Sequence, residues 1–100
     1  MTNPNTTTDF SLRVFSKNNC PMCVNLKKNL DRKAIAYVEY NVEEDTTVRP
    51  ELNDMTPMDY VVNHLKVQQM PTTEILNEHG NVEEIFTGIR PDKILELTKR

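Results

Sequence analysis

Apolar and polar positions alternate at the start of the ordered-looking part of the chain. Phe10, Leu12 and Val14 interleave with Ser11, Arg13 and Phe15, a period of two that predicts a strand ending near Ser16. The period then changes. Pro21 suits the first position of a helix, and Met22, Leu26 and Leu30 fall on one helical stripe with Cys23 beside it. Residues 37–42 are rich in strand formers and predict a second strand. Strand, helix and strand in close succession predict a parallel pair joined by a right-handed crossover. Residues 43–58 carry acids, Pro50 and Pro57 and no clean period, and the run Glu43-Glu44-Asp45 reads as a solvated loop.

A second helix is expected from Pro57, capped by Thr56, with Tyr60, Val61, His64 and Leu65 as its inner stripe and a short helical turn near Glu51 and Leu52 before it. Residues 72–76 predict a third strand and 82–87 a fourth. Between them Asn77 to Asn81 form a turn in which Gly80 takes a positive φ, so the two pair as a hairpin. Pro91 and Asp92 open a last helix with Ile94, Leu95 and Leu97 available to pack. The expected architecture is α/β: one domain over 10–100, a central four-stranded mixed sheet flanked by three helices, behind a mobile polar tail over 1–9.

Composition narrows the function classes. Of 100 residues, 37% are hydrophobic and 27% charged, with a formal net charge of −3. That profile suits a single folded domain. The positive charges are scattered, with no basic stripe for nucleic acid. No stretch approaches the roughly 20 apolar residues that span a bilayer. The first residues lack the basic start and apolar core of an export signal. A cytoplasmic, reducing setting is therefore expected, in which a permanent structural disulfide is not.

The chemistry sits in Cys20-Pro21-Met22-Cys23, the only two cysteines, at a predicted strand-to-helix junction. With that spacing one thiolate attacks a disulfide and the other resolves the mixed disulfide, and in a reducing compartment it reads as a thioredoxin-like redox site. Cys20 lies outside the helical stripe, so it is the expected exposed nucleophile and Cys23 the buried resolving thiol. Backbone N–H groups at the helix start stabilise a Cys20 thiolate, and Lys17 adds positive charge nearby. Pro21 fixes φ and tunes the potential. Met22 is either an adaptable rim contact or a partly exposed helix residue.

Several segments resemble known families. Residues 15–23, from Phe15 to Cys23, resemble the first strand and active-site segment of glutaredoxins. Met70-Pro71 sits where the thioredoxin superfamily places a cis-proline facing the site. Phe86-Thr87-Gly88-Ile89-Arg90-Pro91-Asp92 resembles the corresponding segment of NrdH-redoxins, with Phe86 and Ile89 where that family has tryptophan and phenylalanine.

The resemblance implies a thiol–disulfide oxidoreductase with no bound cofactor beyond its Cys20–Cys23 disulfide. Its electrons would come from NADPH through thioredoxin reductase and pass to ribonucleotide reductase, expected to be class Ib, from a monomer. It also implies partner contacts at Lys17, Pro21, Met22, Met70, Pro71, Gly88 and Arg90. A plain trans Pro71 is the alternative to a cis one exposing the Met70 backbone to an extended peptide. Arg90 either meets an acidic partner or, as favoured here, ties the last loop to the sheet. Two rival functions stand beside this. A glutathione-dependent glutaredoxin fits Pro21-Met22, which is close to the proline-tyrosine of that branch. A zinc module would combine the cysteines with His64 and His79, although their separations fit no compact finger.

Overall fold

The computed structural model describes residues 10–99, so the expected tail over 1–9 lies outside the described residues. Four strands form one sheet in the order β2-β1-β3-β4. β1 (Phe10–Ser16) and β2 (Val38–Asn41) are parallel, with Val14 opposite Glu39 and Phe15 opposite Tyr40. α1 (Pro21–Arg32) makes the crossover between them. β3 (Thr72–Asn77) runs antiparallel to β1, placing Glu74 opposite Arg13. β4 (Val82–Thr87) returns beside β3 through the hairpin turn, where Gly80 has φ 83°. The mixed sheet, the parallel β1–β2 pair with its helical crossover and the β3–β4 hairpin match the expectation; the antiparallel β1–β3 pairing that joins the two units was not part of it.

The two faces of the sheet have separate cores. Leu12 and Val14 of β1 and Ile75 of β3 meet Leu26 and Leu30 of α1, Phe86 of β4, and Ile94 and Leu97 of α3 (Pro91–Leu97). Opposite them Phe15 packs with Tyr40, Val42, Leu52, Tyr60 and Val61. Leu52 belongs to a short 3-10 turn over Pro50–Leu52, near the predicted position. α2 starts as an α-turn over Pro57–Asp59, capped by Thr56, whose Oγ1 accepts from the Asp59 N–H at 3.2 Å. It continues as a π-helix over Tyr60–Leu65 and ends at Lys66, which has φ 59°.

Three side chains expected on inner helix faces, His64, Leu65 and Leu95, are not fully buried. Met22 is exposed, in keeping with both of its readings, while Cys23, Leu26 and Leu30 are the buried residues of α1. In α2 Pro57, Tyr60 and Val61 are buried. His64 is exposed on the Tyr60 ring, with centroids 5.0 Å apart, and Leu65 is half-buried. Leu95 is exposed, since Ile94 and Leu97 take the inner face of α3.

Candidate active site

β1 delivers the chain to the end of the sheet, and a turn over residues 17–19 leads into α1. Asn19 has φ 53°, a left-handed conformation that asparagine tolerates better than most residues. Cys20 follows as the N-cap of α1 with extended backbone, and Pro21 takes the first helical position. The Cys20 Sγ accepts the Cys23 N–H at 3.1 Å, so a sulfur fills the role usually played by a capping oxygen. No acidic residue lies in the first turn of α1 to oppose negative charge there. Cys20 and Cys23 form a disulfide with Cα atoms 5.2 Å apart. Both are largely covered, Cys20 at 8% exposure and Cys23 at 1%, in the order the helical stripe predicts.

Two remote segments close around the sulfurs. The Met70–Pro71 peptide is cis, as the resemblance implied, and the Met70 carbonyl oxygen lies 3.9 Å from Cys20 Sγ. The Gly88 N–H donates to the Pro71 carbonyl at 2.8 Å, joining the loop after β4 to the loop before β3. Gly88 has φ +75°, and a Cβ there would meet the Met22 side chain at 3.4 Å, so Met22 lies over this glycine at the rim. Met22, Met70, Pro71 and Gly88 thus gather about the disulfide.

On another side an open cavity of about 570 Å³ is lined by Lys17, Cys20, Cys23, Lys27, Glu39 and Asn41 among others. Lys17 reaches it as an exposed residue of the turn. Glu39 accepts from Ser16 Oγ at 2.6 Å and Lys27 Nζ at 2.8 Å. Burial pushes its carboxyl up, but these two bonds outweigh that and hold it below the ordinary glutamate value. Sequence reasoning missed Ser16, Lys27 and Glu39, whose meeting depends on the Val14–Glu39 register of two strands.

Arg90 does not tie the last loop to the sheet. Its guanidinium is held bidentately by Asp92, two residues on, at 3.1 and 2.9 Å. That pairing raises Arg90 and lowers Asp92 in pKa. The ion pair between the last helix and the sheet is instead that of Lys93 with Glu84, beside the packing of Ile94 and Leu97.

Among the described residues no three metal-binding side chains are gathered. His64 lies beside Asn53 and Tyr60, and exposed His79 sits in the hairpin turn near Glu78. No described helix is long and apolar enough to cross a membrane.

A parallel β-α-β unit, a dithiol pair at a helix start and a facing cis-proline define a thiol–disulfide oxidoreductase of thioredoxin fold, whose redox group is the Cys20–Cys23 disulfide. The chain belongs to the glutaredoxin family, whose model matches residues 12–80. No curated protein sequence matches it. Solved structures share the fold. The thioredoxin-like protein BC3987 superposes with a TM-score of 0.59 at 23% identity, covering 87% of this chain and 99% of that one. NrdH-redoxin from Escherichia coli, described as glutaredoxin-like with a thioredoxin-like activity profile, superposes at 0.61 and 18% identity, covering 87% and 93%. Thioredoxin F from spinach chloroplast gives 0.63 at 16% identity, covering 92% and 75%.

Proposed function

We propose that Cys20 is the attacking thiol and Cys23 the resolving thiol of a protein-disulfide reductase. The observation carrying this reading is Cys20 at the N-cap of α1, with its sulfur on the Cys23 N–H at 3.1 Å and more exposed than Cys23. The Cys20 thiolate attacks one sulfur of a partner disulfide and expels the other as a thiolate. The Cys23 thiolate then attacks Cys20 Sγ, which releases the second partner sulfur and leaves the Cys20–Cys23 disulfide. Two electrons pass to the partner and the expelled thiolates take up protons. Met70 offers its backbone to an extended partner segment, Pro71 and Gly88 shape the floor beneath it, and Met22 and Pro21 contact it at the rim. Lys17 supplies positive charge for an acidic partner, and Arg90 meets one by exchanging the Asp92 carboxylate for the partner's.

The reductant in this reading is thioredoxin reductase with NADPH, and the acceptor is ribonucleotide reductase of class Ib in the cytoplasm. Gly88-Ile89-Arg90-Pro91-Asp92 supports that choice, as does the fold shared with NrdH-redoxin. The test feeds the oxidised protein either NADPH with thioredoxin reductase or glutathione with its reductase. Turnover is expected with the first pair. Turnover with glutathione alone would make the protein a glutathione-dependent glutaredoxin. Cys20→Ser is expected to abolish disulfide reduction, and Cys23→Ser to trap mixed disulfides.

A further inference from the structure

The acidic run after β2, expected as a solvated loop, is bonded to the turn that carries the attacking cysteine. The Asn18 backbone N–H donates to Glu43 Oε1 at 2.8 Å, and its side-chain amide donates to Glu44 Oε2 at 2.7 Å. Its amide oxygen accepts from Asn41 Nδ2 at 3.1 Å. The Asn41 oxygen accepts in turn from the N–H groups of Glu43 and Glu44 at 3.0 and 3.1 Å. The backbone N–H and both ends of the Asn18 amide are therefore engaged by residues 41–44. One residue separates Asn18 from Cys20, and that residue, Asn19, is held at φ 53°, a conformation that persists where surrounding contacts determine it.

We propose that Glu43 and Glu44 are positioning residues for Cys20. Through Asn18 they fix the turn over 17–19, and so keep the Cys20 sulfur on the Cys23 N–H, where a thiolate is stabilised by the start of α1. This rests on Cys20 being the attacking thiol. Their charge acts in the opposite sense, because a carboxylate near a thiol disfavours the thiolate. The other charged groups about Cys20 are Lys17 in the turn, Lys27 on α1 and Glu39 on β2; the last two pair with each other. Met70, Pro71 and Gly88 on the opposite side carry no side-chain charge.

Holding and charge are separable by substitution. Glutamine at 43 and 44 keeps an acceptor oxygen and removes the charge, whereas alanine removes both. The measurement is the Cys20 thiolate titration, followed by ultraviolet absorbance in the full chain carrying Cys23→Ser, together with the rate of alkylation by iodoacetamide. The Glu43→Gln/Glu44→Gln pair is expected to lower the Cys20 pKa slightly. The Glu43→Ala/Glu44→Ala pair is expected to raise it by about half a unit, with a roughly threefold loss of thiolate at a pH below the pKa. Opposite signs support positioning. Equal downward shifts in both pairs, or no shift with alanine, would overturn it. Should the alanine pair fail to fold, Asn18→Ala removes the amide held by Glu44 and Asn41 without adding charge. It is expected to raise the pKa as well, and an unchanged value counts against the proposal. A low-pKa thiolate found in Cys20→Ser with Cys23 intact, and not in Cys23→Ser, would instead overturn Cys20 as the attacking thiol.

Discussion

The two faces of the sheet are built on different principles, although both grow from alternate residues of the same strands. The face under α1 and α3 is sealed by aliphatic side chains with Phe86, and its cohesion is burial of apolar area. The face under α2 is aromatic and contains a charge. Phe15 stacks between Tyr40 and Tyr60 at centroid distances of 5.4 and 5.6 Å. Beside them Glu74 is fully buried, accepting from Arg13 Nη1 at 3.1 Å and from the Tyr60 hydroxyl at 2.6 Å. The cysteines ride on α1, so the reactive site is anchored by the aliphatic face. The ionic face supports the sheet from behind, and single polar deletions are expected to cost most there.

That contrast is broken most strongly at Glu74. Glu74→Ala strips the partner from Arg13 and from the Tyr60 hydroxyl and leaves a void. A loss of about 4 kcal/mol is expected, since removing one member of a buried pair leaves the other uncompensated. Leu26→Ala, on the aliphatic face, is expected to cost about 3 kcal/mol from lost transfer energy and the cavity. Replacing the whole network (Arg13→Met, Glu74→Leu and Tyr60→Phe together) is expected to recover most of the Glu74→Ala loss. Denaturant unfolding of the four proteins measures this. A triple variant as unstable as Glu74→Ala would show that the face depends on its charges and not merely on leaving none unpaired.

A smaller effect separates the faces by pH. Burial, reinforced by the hydrogen bond to Glu74 and then by its charge, raises the Tyr60 pKa above the usual tyrosine value. Burial and the hydrogen bond to Glu51 push Tyr40 up to about 12. In the unfolded chain both titrate near 10. Between about 10 and the folded values the unfolded state holds fewer protons, so stability falls as pH rises through that window and is complete below it. Tyr60→Phe is expected to cost about 1.5 kcal/mol at neutral pH through the lost bond to a charged acceptor. It also flattens the alkaline decline, which unfolding measured from pH 8 to about 11.5 reads. An equal decline in wild type and Tyr60→Phe would remove Tyr60 from the account.

The same contrast marks what was legible in the sequence. The strands, the hairpin at Gly80, the caps at Thr56 and Pro57, and the redox pair at Cys20 and Cys23 are local patterns, readable within a few residues. Met70-Pro71 and Gly88 were readable only through family resemblance, since nothing local brings them to Cys20. The polar contacts that require register were not readable. Glu74 sits in the run Thr72-Thr73-Glu74-Ile75-Leu76, buried throughout, where an acidic residue marks a network but does not name its partners. Glu39 with Lys27, and Asn18 with Glu43 and Glu44, close over separations of 12 to 26 residues.

The weakest expected effect sharpens the comparison by placing a similar ion pair outside a core. Lys93 on α3 meets Glu84 on β4 with side chains 24% and 28% exposed, against 17% and 0% for Arg13 and Glu74. Both pairs link two different elements, and they differ in how much water each charge retains. Exposed pairs gain little, because solvent screens the attraction and two flexible side chains must be ordered to make it. Lys93→Met keeps most of the apolar stem and deletes the charge, and its effect on thermal unfolding is expected to be a small loss that vanishes at about 1 M salt. Glu84→Gln alone and combined with Lys93→Met completes a double-mutant cycle that isolates the pair. A coupling in that cycle as large as the one between Arg13 and Glu74, and insensitive to salt, would mean that burial is not what distinguishes the two pairs.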